Sequence, residues 1–406
     1  MALSQDRKDY ASVMALIGSA HGMSHFYLLA LPPLFPLLKA EFDVSYAALG
    51  LLMTLFNTTT GLTQVPAGFL VDRIGARQVL TMGLVASGIG LILIGLATEY
   101  WMILALVVLL GIGNSVFHPA DYAILGASIK PERAGRAYAL HTFSGNVGFM
   151  LAPPVMILLS SLWDWRVAVM LGGVVGFVVV AALIRYGGRL TDESSLNRTA
   201  DRDADTAPPD GLLPLLTPQI FIMFLFFTFI AMVTSGIQTF SVTALVDYQG
   251  IGLASANTVL TGFLVASAVG ILLGGPLADK TRRHGLVAAV AMIVSAGILL
   301  AVGNVQLPVA ALILALVLVG LMQGATRPSR DMMVRAVAPK GASGRVFSVV
   351  MTGLNVGAAV TPVLFGYLID LGQARWTFLL LTGILILAAC TVGVARSGQP
   401  ATVAAE

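Results

Sequence analysis

The chain has 406 residues, of which 57% are hydrophobic and 11% are charged, and its mean hydropathy is +0.90. A soluble domain carries about 25% charged residues, so this composition excludes an ordinary soluble protein and indicates a chain solvated mainly by lipid. The net charge is only +3 and the basic residues lie in loops rather than in one patch, so a nucleic-acid partner is not expected.

Twelve apolar runs follow one another along the chain. A helix that crosses a bilayer needs about 20 apolar residues, and runs of this length predict twelve spans. They lie at about 12–38, 45–71, 78–98, 101–129, 133–161, 165–187, 218–247, 253–277, 284–304, 307–335, 343–369 and 375–395. The first run contains two histidines and three prolines and has no small-residue cleavage site, so we expect a span there and not a cleaved signal peptide.

One long polar segment, residues 188–217, separates six spans from six. Its Asp, Arg, Thr and Pro content cannot bury a core, which predicts a flexible linker. Its acidic residues lack the spacing and the glycine of a calcium loop. We therefore expect a six-helix bundle at 1–187, a cytoplasmic linker at 188–217 and a second six-helix bundle at 218–406.

The two predicted bundles repeat each other in sequence. The stretch HPADYAILGASIKPERAGRAYALHTFSGNVGFMLAP (118–153) returns 209 residues later as RPSRDMMVRAVAPKGASGRVFSVVMTGLNVGAAVTP (327–362). Likewise, GFLVDR (68–73) returns 207 residues later as GPLADK (275–280). Two motifs that recur in the same order at nearly the same offset indicate duplicated halves. In so apolar a chain, duplicated halves are typical of secondary transporters, which bind their substrate between the repeats.

Lysine and arginine predict the orientation of the chain. With the N-terminus in the cytoplasm, the cytoplasmic segments hold eighteen of these residues and the outer loops hold three. Cytoplasmic loops of membrane proteins carry the excess of basic residues, so both termini are expected in the cytoplasm. The expected location is the inner membrane of a bacterium.

Several motifs carry a family resemblance. The loop GFLVDRIGAR (68–77) between spans 2 and 3 resembles the G-x-x-x-D-R-x-G-x-R loop of the major facilitator superfamily. Within that superfamily, AHGMSHFYLLALPPLFPLLKAEF (20–42), SVFHPADYAILGAS (115–128) and SGNVG (144–148) resemble the fosmidomycin-resistance subgroup of drug exporters. The resemblance implies an all-α fold of two pseudo-symmetric six-helix bundles, with spans 1, 4, 7 and 10 around a central cavity.

The superfamily loop supplies the expected gate. Asp72 can cap a helix junction and pair with a basic group, and the resemblance implies that Asp72, Arg73 and Arg77 latch the cytoplasmic gate. Gly68 and Gly75 permit a close approach and a tight turn. In the second copy Asp279 remains, but Lys280 replaces the arginine and the following glycine is absent. The alternative is a basic loop that only orients the chain.

Two carboxylates and several histidines lie inside predicted spans. Asp121 and Asp331 are the acidic residues well inside spans, and ionisable groups in a membrane default to functional candidates. His118 lies one helical turn before Asp121, and His21 and His25 share one face of span 1. Such a cluster can bind and release a proton near neutral pH. The alternative is that these groups satisfy one another structurally.

The candidate substrate ligands lie mostly in the second half. Arg327 and Arg330 of span 10 suit a carboxylate or phosphonate, although Asp331 can instead neutralise an arginine. Further candidates are Gln238 in span 7 and the repeat-related pair Asn146 and Asn355. No resident metal site is expected, because no cysteine or glutamate lies near the His21/His25 pair; a metal substrate is a minor alternative.

The sequence contains no phosphate-binding loop, nucleophile elbow or His-Glu-x-x-His pair, so we expect neither an enzyme nor a cofactor. Together these observations predict a monomeric, proton-coupled secondary transporter of a small organic, anionic compound. The resemblance favours efflux by drug/H+ antiport over the alternative, H+-coupled uptake of an organic anion. A membrane enzyme or lipid-handling protein on the same scaffold is a remote alternative.

Overall fold

The computed structural model describes residues 2–129, 131–190, 217–337 and 343–397, and within these ranges the chain is almost entirely helical. The helices of the first half are α1 (Ala2–Leu28), α2 (Phe35–Phe42), α3 (Tyr46–Ile74), α4 (Ala76–Leu96), α5 (Tyr100–Ser115), α6 (Phe117–Ser128), α7 (Pro131–Leu162) and α8 (Trp165–Tyr186). Those of the second half are α9 (Pro218–Gln249), α10 (Leu253–Lys280), α11 (His284–Asn304), α12 (Val309–Val337), α13 (Ser343–Asp370) and α14 (Arg375–Ser397). Short 3-10 turns lie at Pro32–Leu34 and Gly187–Arg189.

The predicted spans correspond to these helices. Within the described ranges, eleven segments are long and apolar enough to cross a membrane. The twelfth, α3, has 29 residues but carries the polar run Asn57-Thr58-Thr59-Thr60. Two spans are broken. The first span is interrupted at Pro32 and Pro33, and the fourth span is interrupted at Val116, three residues before Pro119. Proline has this effect because it removes a backbone donor and disturbs the preceding turn. The expectation of an all-α membrane fold is confirmed.

The chain divides into two compact units. Unit 1 comprises residues 1–44 and 55–207, and unit 2 comprises residues 45–54 and 208–406. The start of α3 therefore groups with the second half, where the backbone N–H groups of Tyr46 and Ala47 donate to the Asp370 carboxylate at 2.7 and 2.8 Å. Most of the predicted linker, residues 191–216, lies outside the described residues.

Equivalent helices pack alike within the two units. In unit 1, α1 packs on α7 and α4 packs on α8; in unit 2, α9 packs on α13 and α11 packs on α14. A Cβ placed on Gly148 would lie 2.0 Å from the backbone oxygen of Gly22, and one on Gly357 would lie 2.3 Å from that of Thr228. Only glycine allows such backbone contact, so both copies of the repeated Asn-Val-Gly sequence join a pair of helices.

Candidate functional site

A buried carboxylate and two imidazoles form the centre of unit 1. Asp121 lies on α6 and is completely buried. Its Oδ2 atom is 2.9 Å from Nε2 of His141 on α7 and 3.3 Å from Nδ1 of His21 on α1. With a proton on Nε2, His141 donates a hydrogen bond to this oxygen. We call these three residues the His/Asp cluster; it joins three helices inside the membrane part of the unit.

Small residues allow the imidazoles to reach Asp121. A Cβ on Gly145 of α7 would lie 2.8 Å from Nε2 of His21 and 2.8 Å from Cε1 of His25. A larger residue at this position would push the rings away from α7. The glycines of SGNVG therefore have separate roles: Gly145 admits the imidazoles, while Gly148 admits the backbone of α1.

The other two expected histidines surround the cluster. The ring centroid of His21 lies 3.7 Å from that of His141, 4.5 Å from that of His25 and 5.4 Å from that of His118. His118 also stacks on Tyr122. The structure thus brings all the first-half coupling candidates together, but His118 faces His21 and Tyr122 rather than forming a hydrogen bond to Asp121.

His141 is the functional candidate that the sequence reasoning missed. It lies inside the fifth predicted span, so the criterion that selected Asp121, an ionisable residue within a span, would have selected it too. Pairing residues that lie within one or two turns of the same helix does not find His141, because it is 20 residues away from Asp121.

The cluster is incompletely satisfied. Among the described residues, Oδ1 of Asp121 and Nδ1 of His21 have no hydrogen-bond partner that meets normal geometry. An unpaired buried acceptor is costly, and protonating the carboxyl removes the charge on that oxygen. The three donor atoms lie within 4.8 Å of one another and are of types that also bind transition metals.

The equivalent place in unit 2 carries arginines. Arg330 on α12 donates from Nε to Oδ1 of Asp331 at 3.1 Å. Its guanidinium carbon lies 4.6 Å from the centroid of the Phe227 ring on α9. The Arg330 side chain is 12% exposed and that of Asp331 is 45% exposed. Asp331 therefore neutralises Arg330, which was the structural alternative for this acidic residue.

Arg327 and Gln323 are two further polar residues of α12. Arg327 is half-buried, and in the part of the chain that the structure describes it makes no hydrogen bond or ion pair. Gln323 lies one turn earlier on the same face and is 7% exposed. Its backbone oxygen accepts a hydrogen bond from Oγ1 of Thr326 at 2.8 Å.

The three amide candidates lie in different settings. Asn146 is buried, and its side chain donates to the backbone oxygen of Thr142 at 2.8 Å, one turn earlier in α7. Asn355 is exposed and Gln238 is half-buried. The structure does not bring any of them into the His/Asp cluster.

The gate residues lie at the junction of α3 and α4. Asp72 and Arg73 are exposed at the end of α3. Gly75 has φ +97°, which requires glycine, so the expected tight turn is present. Arg77 donates to the backbone oxygen of Ile184 at 3.0 Å and thereby ties this junction to the end of α8.

Two other gate candidates make fewer contacts. Among the described residues nothing lies within 4 Å of a Cβ placed on Gly68, so no close approach occurs there. Asp279 is exposed near the end of α10. In these two respects the copies agree, because Asp72 is also exposed and nothing in the described part of the chain lies within 4 Å of a Cβ on Gly275.

Unit 1 also contains an apolar cavity of about 580 Å³ between α1, α7 and α8. Met14, Met23, Phe26, Phe143 and Val179 contribute to its wall. None of the residues of the His/Asp cluster lines it.

Known proteins resemble this chain over most of its length. The uncharacterized MFS-type transporter YfnC of Bacillus subtilis (strain 168) is 25% identical over 377 residues, which is 88% of this chain and 86% of that protein. The fosmidomycin resistance protein of Escherichia coli (strain K12) is 24% identical over 273 residues, 67% of this chain and 66% of that protein. The resemblance expected from the sequence is confirmed.

The fold is also that of solved transporters. The crystal structure of a bacterial homolog to the human lysosomal transporter Spinster, in its inward-facing and occupied conformation, superposes with a TM-score of 0.81 at 15% identity. The match covers 96% of this chain and 97% of that one. A family model described as Major Facilitator Superfamily matches residues 14–252 and 224–403. Since these matches extend over both halves, the chain belongs to the major facilitator superfamily of membrane transporters.

Proposed function

We propose that the protein is a proton-coupled secondary transporter that moves a small organic anion across a bacterial inner membrane. One observation carries the proposal: a fully buried Asp121 lies within hydrogen-bonding reach of His141 and beside His21, inside the membrane part of unit 1. Intramembrane ionisable groups are costly, and proton pathways are a principal use of them.

Proton binding changes the charge of the cluster. With both imidazoles neutral, an ionised Asp121 gives the cluster a charge of −1, and one added proton makes it neutral. The membrane interior disfavours the charged form, whereas contact with water lowers that cost. A conformation that opens the cluster to water therefore releases the proton more readily, which links proton release to the alternation of the two halves.

The groups that face the cluster come from three helices. Helix α1 contributes His21 and His25, α6 contributes His118 and Tyr122 beside Asp121, and α7 contributes His141. Helix α4 also packs on α6, and its one charged side chain, Arg77, is directed to α8 instead. Among the described residues, Asp121 forms ion-pair contacts with His21 and His141 and with no lysine or arginine. A histidine is therefore the group that can balance its charge.

The test replaces Asp121 by Asn in the full-length protein reconstituted in proteoliposomes. Transport driven by a pH gradient should be lost for every compound of a panel of radiolabelled organic anions and drugs, whereas exchange of labelled for unlabelled compound should survive, because exchange needs no net proton movement. The exposed Asp43 is the matched control; it has φ +47°, which asparagine tolerates, so Asp43→Asn should transport normally. Full pH-driven accumulation by Asp121→Asn would contradict the proposal.

We favour efflux by antiport, because one relative is named as a resistance protein. Everted membrane vesicles separate the two directions. In vesicles acidified by respiration, an antiporter substrate added outside should release protons and restore the fluorescence of a pH-sensitive dye. An uptake symporter would give no such recovery, and that outcome would favour H+-coupled uptake of an organic anion.

The proposed orientation places both termini and the linker in the cytoplasm. A single cysteine at Ser195, in the linker outside the described residues, and another at Asn304, exposed at the end of α11, provide the test in a Cys390→Ser background. An impermeant thiol reagent applied to intact spheroplasts should label only the cysteine at 304. Labelling at 195 would reverse the topology.

A further inference from the structure

Arg327 is a cation in a membrane-spanning helix, and its acidic neighbour Asp331 is bonded to Arg330 instead. It is half-buried and, in the described ranges, forms neither a hydrogen bond nor an ion pair. A guanidinium in this setting is costly, and such groups normally pair with another residue or mark a ligand pathway. Because Asp331 bonds directly to Arg330, an anionic ligand can supply the direct ion pair that Arg327 lacks among the described residues.

The neighbouring arginine is already used. Arg330 donates to Asp331, and its guanidinium lies over the ring of Phe227. The Arg330–Asp331 pair has no net charge, so this face of α12 carries one uncompensated positive charge, that of Arg327. One charge suits a monoanion, whereas a doubly charged phosphonate would require a second free cation.

Gln323 supplies the second polar contact. It lies four residues before Arg327, on the same face of α12, and it is 7% exposed. An arginine fork binds the two oxygens of a carboxylate, and an amide N–H one turn away can donate to one of them. Phe227 closes this face with an apolar ring.

We infer that Arg327 and Gln323 form the anion site of unit 2 and bind the carboxylate of a monoanionic organic substrate, with Arg330 and Phe227 as positioning residues. This inference rests on the proposed transport function, for which it specifies the substrate class. It assigns recognition to unit 2 and leaves proton binding to unit 1.

The test measures binding to the purified full-length protein at constant pH, without a gradient, by thermal unfolding. The probes are a panel of monocarboxylates that includes benzoate, together with benzamide as its neutral analogue and phenylphosphonate as a dianion. Carboxylates of the panel should raise the Tm of the wild type and benzamide should not. Arg327→Gln should weaken carboxylate binding about 10- to 100-fold, the factor expected for one charge-assisted contact.

Two further variants exclude a structural explanation. Without ligand, Arg327→Gln should melt no lower than the wild type, because it removes an uncompensated buried charge. Arg282→Gln, which removes an exposed arginine of the same unit, should bind carboxylates normally. Gln323→Leu should weaken carboxylate binding by a smaller factor than Arg327→Gln, since it removes a neutral donor.

Three results would overturn the inference: no response of the wild type to any carboxylate, unchanged affinity in Arg327→Gln, or a response to phenylphosphonate alone. None of them concerns proton coupling. A protein that failed here but lost pH-driven transport in Asp121→Asn would keep the proposed function and lose only its carboxylate site. A protein that bound carboxylates through Arg327 but kept pH-driven transport in Asp121→Asn would keep the carboxylate site and lose the proposed proton coupling.

Discussion

The same three positions hold different chemistry in the two units. The repeat offset of 209 residues relates His118 to Arg327 and Asp121 to Arg330. The close contacts of Gly148 with Gly22 and of Gly357 with Thr228, which we call the glycine joints, make Gly22 and Thr228 equivalent. His21 and Phe227, the residues before them, are therefore equivalent too. His21 lies beside Asp121, and Phe227 lies under Arg330, so the contact between the two helices has been kept while its residues have changed.

This difference shows what duplication fixes and what it leaves free. Glycine contacts fix how the helices approach each other, because a Cβ there would meet backbone atoms. The side chains on that scaffold are free to diverge. On the functions proposed above, unit 1 uses its copy for a proton and unit 2 uses its copy for an anion, so the two tasks sit at equivalent places in separate units.

The largest expected effect comes from making unit 1 resemble unit 2 at the third helix of the cluster. The repeat places Val350 opposite His141. His141→Val should lower the free energy of unfolding by about 3 kcal/mol, because it leaves a buried carboxylate without its hydrogen-bond donor. It should also abolish pH-driven transport. Equilibrium unfolding in mixed micelles and the proteoliposome assay measure the two effects.

A double variant serves as the control for this prediction. Asp121→Asn in the His141→Val background removes the stranded charge, so it should recover most of the lost stability but none of the coupling. If the two substitutions were additive in stability, Asp121 would be uncharged in the wild type and its contact with His141 would contribute little to stability.

The glycine joints give the next effect. Gly148→Ala and Gly357→Ala should each destabilise the protein by about 1–3 kcal/mol, because the new Cβ meets the backbone oxygen of the partner helix. Gly297→Ala on α11 is the matched control, since nothing lies within 4 Å of its Cβ; helix propensity should make it stabilising by about 0.5–1 kcal/mol. Tolerance of alanine at either joint would refute the shared architecture.

Much of this architecture could be predicted from sequence, for physical reasons. Apolar runs of membrane-spanning length and a 209-residue repeat determine the helices and their pairing, and both signals are local or periodic. The His141–Asp121 contact is neither, because it joins residues on two helices whose approach depends on Gly145 and Gly148. Asp331, the partner of Arg330, is its neighbour in the sequence, but only the structure shows that Asp331 bonds to Arg330 and not to Arg327.

The gate loops provide a third comparison. Asp72 lies beside the Gly75 turn that Arg77 ties to α8, whereas Asp279 lies in the degraded copy. On the latch hypothesis, Asp72→Asn should shift the balance between inward- and outward-open states several-fold and Asp279→Asn less, a difference of about 1 kcal/mol at most for exposed charges. The alkylation rate of a single cysteine at Asn355, in a Cys390→Ser background, measures the shift.

Carboxylate binding is the control for the gate variants. The latch lies in unit 1 and outside the His/Asp cluster, so Asp72→Asn should still bind benzoate as the wild type does. Loss of that binding in a folded variant would mean that Asp72 is not a latch residue.

The smallest effect concerns two arginines related by the repeat, Arg166 and Arg375. Arg166 at the start of α8 donates to the backbone oxygens of Gly95 and Ala97 at the end of α4, and Arg375 at the start of α14 donates to that of Gly303 near the end of α11. Cations suit these carbonyl ends of helices. Within the described ranges only Arg166 adds an ion pair, with Glu41, and the side chains of these two residues are 26% and 39% exposed. Arg166→Gln should therefore cost about 1 kcal/mol and Arg375→Gln about half of that.

Added salt should reduce the stability loss of Arg166→Gln and hardly change that of Arg375→Gln, because screening acts on the ion pair more than on hydrogen bonds to carbonyls. Glu41→Gln separates the terms: it should reproduce the salt-sensitive part of the Arg166 loss. An equal salt response of both arginine variants would show that the carbonyl contacts, and not Glu41, distinguish the two ends of the repeat.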